Sequence, residues 1–240
     1  MHTLTSIIRF PEISLLTRDA HKLRGYFGNL FKEESPLLHN HFIDTSNGKR
    51  ETSNGDIEQF NIIKHIYRYP LVQYKVINGI PILVGLNEGA ELLTSLFLKI
   101  KELNIDGKIY PINYKNIENR KYEIEVNEEL QEYKFESLWM GLNQENYKKY
   151  INLKISSKLK ESNDMLKRIL VGNILSFFKS AGYHADNKIL LTSSLKEKKT
   201  RFKDNEMLAF EGNFTTNVLL PDYIGLGKCV SRGFGTIVKN

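Results

Sequence analysis

Leu4–Phe10 (LTSIIRF) mixes β-branched and apolar residues with polar ones and stops at Pro11, which predicts a strand. From Arg18 to Phe31 the apolar positions Ala20, Leu23, Phe27, Leu30 and Phe31 recur at helical spacing, with Thr17 or Asp19 as N-cap. Two β-rich runs follow further on, Tyr69–Val76 and Ile80–Leu86. Between them stands Ile77-Asn78-Gly79, a hairpin signal because Asn and Gly both tolerate positive φ. Leu92, Leu93, Leu96, Phe97, Ile100 and Leu103 make a second helical stripe that ends before Gly107. Lys108–Tyr114 supplies one more strand, and Pro111 favours an edge position for it.

Strand, helix, two strands, helix, strand is the βαββαβ order of the ferredoxin-like unit. It covers Leu4 to Tyr114 with one large insertion, the polar stretch Lys32–Phe60, which holds Ser-Asn-Gly twice and sustains neither period. A segment of that kind in a compact domain is usually functional or disordered. The second half opens with strand-like Tyr122–Val126 and Tyr133–Trp139 and a polar helical segment around Glu145–Tyr150. A broader apolar stripe then runs from Asp164 to Ala181, with Gly182 as C-cap. Lys188–Ser193 and Glu206–Gly212 read as strands joined by a basic loop, Ser194–Asn205, and Gly233–Lys239 as the last strand. Between Phe214 and Ile224 there is room for barely more than one helical turn, and Pro221 interrupts it. The expected fold is α+β: two tandem ferredoxin-like (RRM-like) domains, residues 1–118 and 119–240, the second degenerate and carrying a C-terminal glycine-rich loop.

Composition narrows the classes without choosing among them. With 240 residues, 41% hydrophobic and 26% charged, the chain can bury a sizeable core, which excludes a disordered chain, a collagen and a coiled-coil rod. No apolar stretch approaches the roughly 20 residues of a membrane span, and the N-terminus lacks the pattern of a signal peptide, so a cytoplasmic protein is expected. The single cysteine, Cys229, rules out an internal disulfide and a Cys-based zinc site. A net charge of +6 permits a polyanionic partner.

The most distinctive stretch is Gly225-Leu226-Gly227-Lys228-Cys229-Val230-Ser231-Arg232-Gly233-Phe234-Gly235, with four glycines and two bases in eleven residues. Glycine lets backbone N–H groups approach an anion closely, and Lys228 and Arg232 add positive charge beside them. A phosphate-binding loop and a tight turn between core strands both fit. The spacing matches neither the dinucleotide fingerprint nor the P-loop.

GLGKCVSRGFG does resemble one family pattern in full: Gly-hydrophobic-Gly, five residues with at least one base, Gly-hydrophobic-Gly, as in the CRISPR repeat-RNA endoribonucleases of the Cas-six family in the RAMP superfamily. Its place near the C-terminus, running into an apolar strand, is similar too, and the likeness extends loosely to Leu23-Arg24-Gly25. The resemblance implies two tandem ferredoxin-like domains and a metal-independent endoribonuclease, requiring no cofactor, that cuts precursor CRISPR RNA within its repeats. The ribose 2′-hydroxyl attacks the adjacent phosphate and leaves a cyclic phosphate and a 5′-hydroxyl. Implied partners are precursor CRISPR RNA, the mature guide RNA and other subunits of an effector complex.

Histidine suits such proton transfers because its unperturbed pKa of ~6.5 keeps both protonation states accessible. The resemblance places the catalytic histidine just after the first helix, in Pro36-Leu37-Leu38-His39-Asn40-His41-Phe42, with His41 the first choice and His39 the second. His21 lies on the polar side of the first helix beside Lys22 and Arg24, and His21 and Arg24 are further RNA-facing candidates. His39 and His41 are also spaced as a metal pair, but no carboxylate or cysteine cluster completes a ligand set, so no metal site is expected. The candidate RNA contacts are Gly225, Gly227, Lys228, Ser231, Arg232, Gly233 and Gly235 in the glycine-rich loop, and Lys196, Lys198, Lys199, Arg201 and Lys203 in the basic loop. Weaker candidates are Tyr26, and Lys49 and Arg50 beside the scissile phosphate. The alternative reading is a non-catalytic RAMP subunit that binds guide RNA in an effector complex. A third is a ferredoxin-like protein whose loop holds a mononucleotide.

Overall fold

The computed structural model describes residues 1–38, 42–51, 57–66, 68–202 and 205–240. In chain order the first half comprises β1 (His2–Arg9), α1 (Ala20–Leu30), β2 (Phe42–Glu51), β3 (Ile57–Ile66), β4 (Val72–Ile77), β5 (Ile80–Leu86), α2 (Glu88–Leu96), β6 (Glu102–Ile105), β7 (Lys108–Pro111) and β8 (Asn116–Glu123). An antiparallel sheet of order β4-β5-β1-β8 carries both helices on one face, which is the ferredoxin-like arrangement. β4 and β5 turn at Asn78 and Gly79, both at positive φ as expected.

Successive side chains of a strand point to opposite faces. On one face Ile8, Tyr74, Val76 and Leu83 meet Leu23 and Phe27 of α1 and Leu93 and Leu96 of α2. On the other face Ile7, Ile77, Ile82 and Val84 form a smaller apolar cluster with Tyr223 from the second half. The bare face of the first sheet is therefore the surface on which the C-terminal region docks.

The second half comprises β9 (Glu125–Phe135), α3 (Gln144–Ile155), α4 (Leu159–Ala181), β10 (Leu191–Phe202), β11 (Asn205–Leu219) and β12 (Ile237–Lys239). Its sheet has the order β10-β11-β9-β12, the same permutation as the first. The stripe of Leu166, Leu170, Ile174, Phe177 and Phe178 on α4 packs on Tyr133, Phe135, Phe210 and Phe214. Gly182 closes α4 in the left-handed conformation. Where a second helix would stand, Leu220–Thr236 crosses the sheet irregularly with one 3-10 turn, Val230–Arg232, and buries Ile224, Leu226 and Val230 in the core.

Four sequence expectations change. Among the described residues Lys108–Pro111 pairs with Glu102–Ile105 alone, and the sheet edge is Asn116–Glu123 instead. That strand runs from Asn116 to Glu123, and the next, of the second sheet, begins at Glu125. Tyr122–Val126 is accordingly the end of one strand and the start of another. The basic stretch Ser194–Asn205 is the end of a long hairpin, paired in register from Leu191↔Thr216 to Phe202↔Asn205. Part of the polar insertion is a hairpin as well, β2 on β3, from Phe42↔Ile66 to Glu51↔Ile57. Among the described residues, no helix is long and apolar enough to cross a membrane.

Candidate nucleic-acid interface

The start of α1, the segment after β9, the far end of β10 and the glycine-rich loop enclose a cavity of about 470 Å³. Arg18, His21, Lys22, Arg201 and Arg232 supply its basic groups, Asp19 its acidic one, and Leu138 and Phe234 its apolar ones. These residues come from both domains and are separated by up to about two hundred positions along the chain; only the docking of the two sheets brings them together.

His21 Nδ1 lies 2.7 Å from the Arg18 carbonyl oxygen. A carbonyl can only accept, so Nδ1 carries a proton and donates it. Lys22, the next residue, bridges Asp19 at 2.7 Å and Asp106 at 2.6 Å, so its charge is committed to those carboxylates. Arg24 is half-buried; burial first, and then the like charge of Arg232, holds its pKa below the usual guanidinium value. Arg24 and Arg232 are thus neighbouring cations.

The glycines of the loop are fixed by packing. A Cβ on Gly225 would lie 2.5 Å from the Val230 Cβ, on Gly227 2.7 Å from Trp139 Nε1, and on Gly233 2.7 Å from the Ala20 Cβ of α1. Gly227, Gly233 and Gly235 also have positive φ. The amide of Gly225 donates to Gln73 Oε1 (2.9 Å), that of Lys228 to Met140 O (2.8 Å), and that of Gly235 to Leu138 O (2.9 Å). The amides of Gly225, Lys228 and Gly235 are thus spent inside the fold, and Gly225, Gly233 and Gly235 are buried. Lys228 is exposed, while Ser231 and Arg232 are partly exposed.

On β10, Lys196, Lys198, Lys199 and Arg201 are all exposed. Lys198 pairs with Glu211 at 3.2 Å and Lys199 with Glu206 at 3.0 Å, whereas Arg201 and Thr200 reach the cavity. The Tyr150 hydroxyl donates to Glu197 at 2.6 Å and Lys154 pairs with it at 2.9 Å, tying the same hairpin to α3. Tyr26 donates its hydroxyl to the Glu102 carbonyl, a packing role. His39, His41 and Lys203 lie outside the described residues, and of Lys49 and Arg50 only the strand backbone is described. The chain that leads into His39 leaves from Leu38, which is buried and whose carbonyl accepts a 3.0 Å bond from the Tyr74 hydroxyl.

Sequence reading missed Arg18, Ser137, Thr200 and Phe234. Arg18 carried a signal as a cation within one helical turn of His21, and Phe234 and Thr200 carried one as members of the glycine-rich and basic segments.

Two family models match this chain, the Cas6b N-terminal domain over residues 59–123 and the Cas6b C-terminal domain over residues 125–240. The chain belongs to the Cas6b family. Among similar proteins, an uncharacterized protein of Methanocaldococcus jannaschii is 35% identical over 147 residues, which is 60% of this chain and 96% of the relative. A crystal structure of a Cas6b superposes with a TM-score of 0.85 at 33% identity over the whole of both chains. A crystal structure described as the CRISPR RNA processing endoribonuclease Cas6b does so with 0.75 at 30%, again over the whole of both. The Cas6b relationship accounts for the tandem ferredoxin-like domains and for the junction of the two family models next to Ile124.

Proposed function

We propose that this Cas6b-family chain is an endoribonuclease that processes precursor CRISPR RNA by cutting within its repeats, using 2′-hydroxyl attack without a metal ion. The observation that carries the reading is the interdomain cleft, in which Arg18, His21, Arg201 and Arg232 of two distant parts of the chain face one cavity in a protein of this family. Several cations lining one groove are what an RNA backbone requires. The exposed Lys196 and Lys228 extend the basic surface, with Ser231 as a further hydroxyl beside it.

In the reaction one histidine, His41 or His39, takes the proton of the 2′-hydroxyl, whose oxygen attacks the adjacent phosphorus. The 5′-oxygen leaves and takes up a proton, giving a cyclic phosphate and a 5′-hydroxyl. Positioned proton transfer of this kind contributes about 10²–10⁴-fold. Arg24, whose pKa is lowered by burial and then by the nearby charge of Arg232, and Arg232 itself counter the charge that gathers on the phosphate. The guide RNA then remains as a partner and passes to other subunits of an effector complex in the cytoplasm.

The test is incubation with the cognate repeat RNA in EDTA, beside RNAs carrying one 2′-deoxy substitution at each position. A single cut, abolished by one substitution and by His41→Ala or His39→Ala with binding retained, is the expected result. RNA that is retarded but intact would favour the binding subunit, and cleavage that EDTA abolishes would refute the metal-free route.

A further inference from the structure

Lys75 is the odd residue of the first sheet. It lies mid-strand in β4, faces the second domain, and is 0% exposed. A fully buried lysine is one of the costliest placements in a protein interior. Burial pulls its pKa down from 10.5 to about 7. A methionine would fill a similar volume without that cost, so the chemistry that distinguishes Lys75 is hydrogen-bond donation.

The recipient is the Thr236 hydroxyl. Lys75 Nζ lies 3.0 Å from Thr236 Oγ1, and Thr236 Oγ1 lies 3.3 Å from the Gly233 carbonyl oxygen. The direction follows from donor chemistry: the amine donates to the hydroxyl oxygen, and the hydroxyl proton is left for the carbonyl. Gly233 is wedged where the domains meet, with space for no Cβ between Ala20 and the loop, and it directly follows Arg232 at the cavity. Thr236 is held from its own domain as well, its amide donating to Ser137 Oγ at 2.9 Å. A second contact two residues earlier on β4, in which the Gly225 amide donates to Gln73 Oε1, pins the other end of the loop.

We propose that Lys75 and Thr236 are positioning residues for RNA binding, a relay from Lys75 through the Thr236 hydroxyl to the Gly233 carbonyl that fixes Arg232 at the interdomain cleft. The proposal rests on the reading of Arg232 as an RNA contact. The relay touches no RNA itself; it acts by removing the freedom of the residue that does, so that less ordering is required when RNA binds.

The test uses the full chain, thermal melting to verify folding, and the dissociation constant for a repeat RNA made uncleavable by 2′-deoxy substitution. Thr236→Val, which keeps the shape and loses the hydroxyl, is expected to weaken binding about tenfold, and Lys75→Met likewise. Thr236→Ser, which keeps the hydroxyl, is expected to restore binding to within about twofold. In an Arg232→Ala background Thr236→Val should add less than about twofold, because the residue it positions is gone. Wild-type affinity in both folded variants, Thr236→Val and Lys75→Met, would overturn the relay, as would a tenfold loss that persists undiminished with Arg232→Ala. Should Arg232→Ala itself leave affinity unchanged, the RNA-contact reading of Arg232 fails and the relay falls with it; an Arg232→Ala loss with no Thr236→Val loss sinks the relay alone.

Discussion

The Leu226 amide donates to the Gly235 carbonyl oxygen at 2.8 Å, and a Cβ built on Gly235 would overlap the Leu226 carbonyl oxygen. The two ends of the glycine-rich loop thus lie back to back with no space for a side chain, and Gly235 has φ +64°. Gly235→Ala is expected to destabilise the protein by at least about 2 kcal/mol, from backbone displacement added to the left-handed conformation. Gly172, mid-helix in α4 with no atom within 4 Å of its Cβ position, is the contrast. Gly172→Ala should stabilise by about 0.5–1 kcal/mol through helix propensity. Urea denaturation of the two variants tests both signs.

Lys75 gives the stability a pH dependence of known sign. Its amine titrates near 7 in the folded chain and near 10.5 when unfolded. Between those values the unfolded chain binds more protons, so this group makes the folded state more stable as pH rises. Below about 7 its destabilising effect is complete. Lys75→Met should therefore raise the melting temperature at pH 7 and flatten the rise in stability between pH 7 and pH 10. Melts across that range check this, and an unchanged slope would show that the amine is not the group responsible. The same variant is expected to bind RNA less well, so stability and affinity should move in opposite directions.

Arg201 and Lys199 sit on one hairpin but are predicted to differ in RNA binding. Arg201 lines the cavity, whereas Lys199 already neutralises Glu206 at 3.0 Å. Arg201→Ala should reduce the slope of log affinity against log salt by about 0.7–0.9, the value for one phosphate contact. Lys199→Ala should change that slope by less than half as much. Filter binding at several salt concentrations separates the two.

The sequence made some of this legible because local signals coincided with tertiary ones. The Asn78-Gly79 turn, the α4 stripe and the Gly182 cap are each dictated by a few adjacent residues. Asn116–Glu123 was missed as the edge strand because its side chains, Arg120 and Lys121 among them, are largely solvated, so it shows no apolar period. β10 was read partly as a loop for the same reason: beyond Leu195 both of its faces carry lysines, and the strand is held by main-chain pairing to β11. The glycine-rich loop was recognisable as a pattern, but its amides' partners, Gln73, Met140 and Leu138, lie far away in sequence. The cleft itself had no linear signature, since Arg18 and Arg232 meet only through the docking of one sheet on the other's irregular crossover.

Between Glu123, the last residue of β8, and Glu125, the first of β9, stands only Ile124. It is 0% exposed, its amide donates to the Met1 carbonyl at 2.6 Å, and its own carbonyl accepts from the Met1 nitrogen at 3.1 Å. A swivel needs several residues free to absorb changes in φ and ψ. One buried residue bonded on both sides offers none, so the groove behaves as a gauge of set width. For the RNA proposed above to bind there, the work of fitting then falls to the RNA and not to the two sheets.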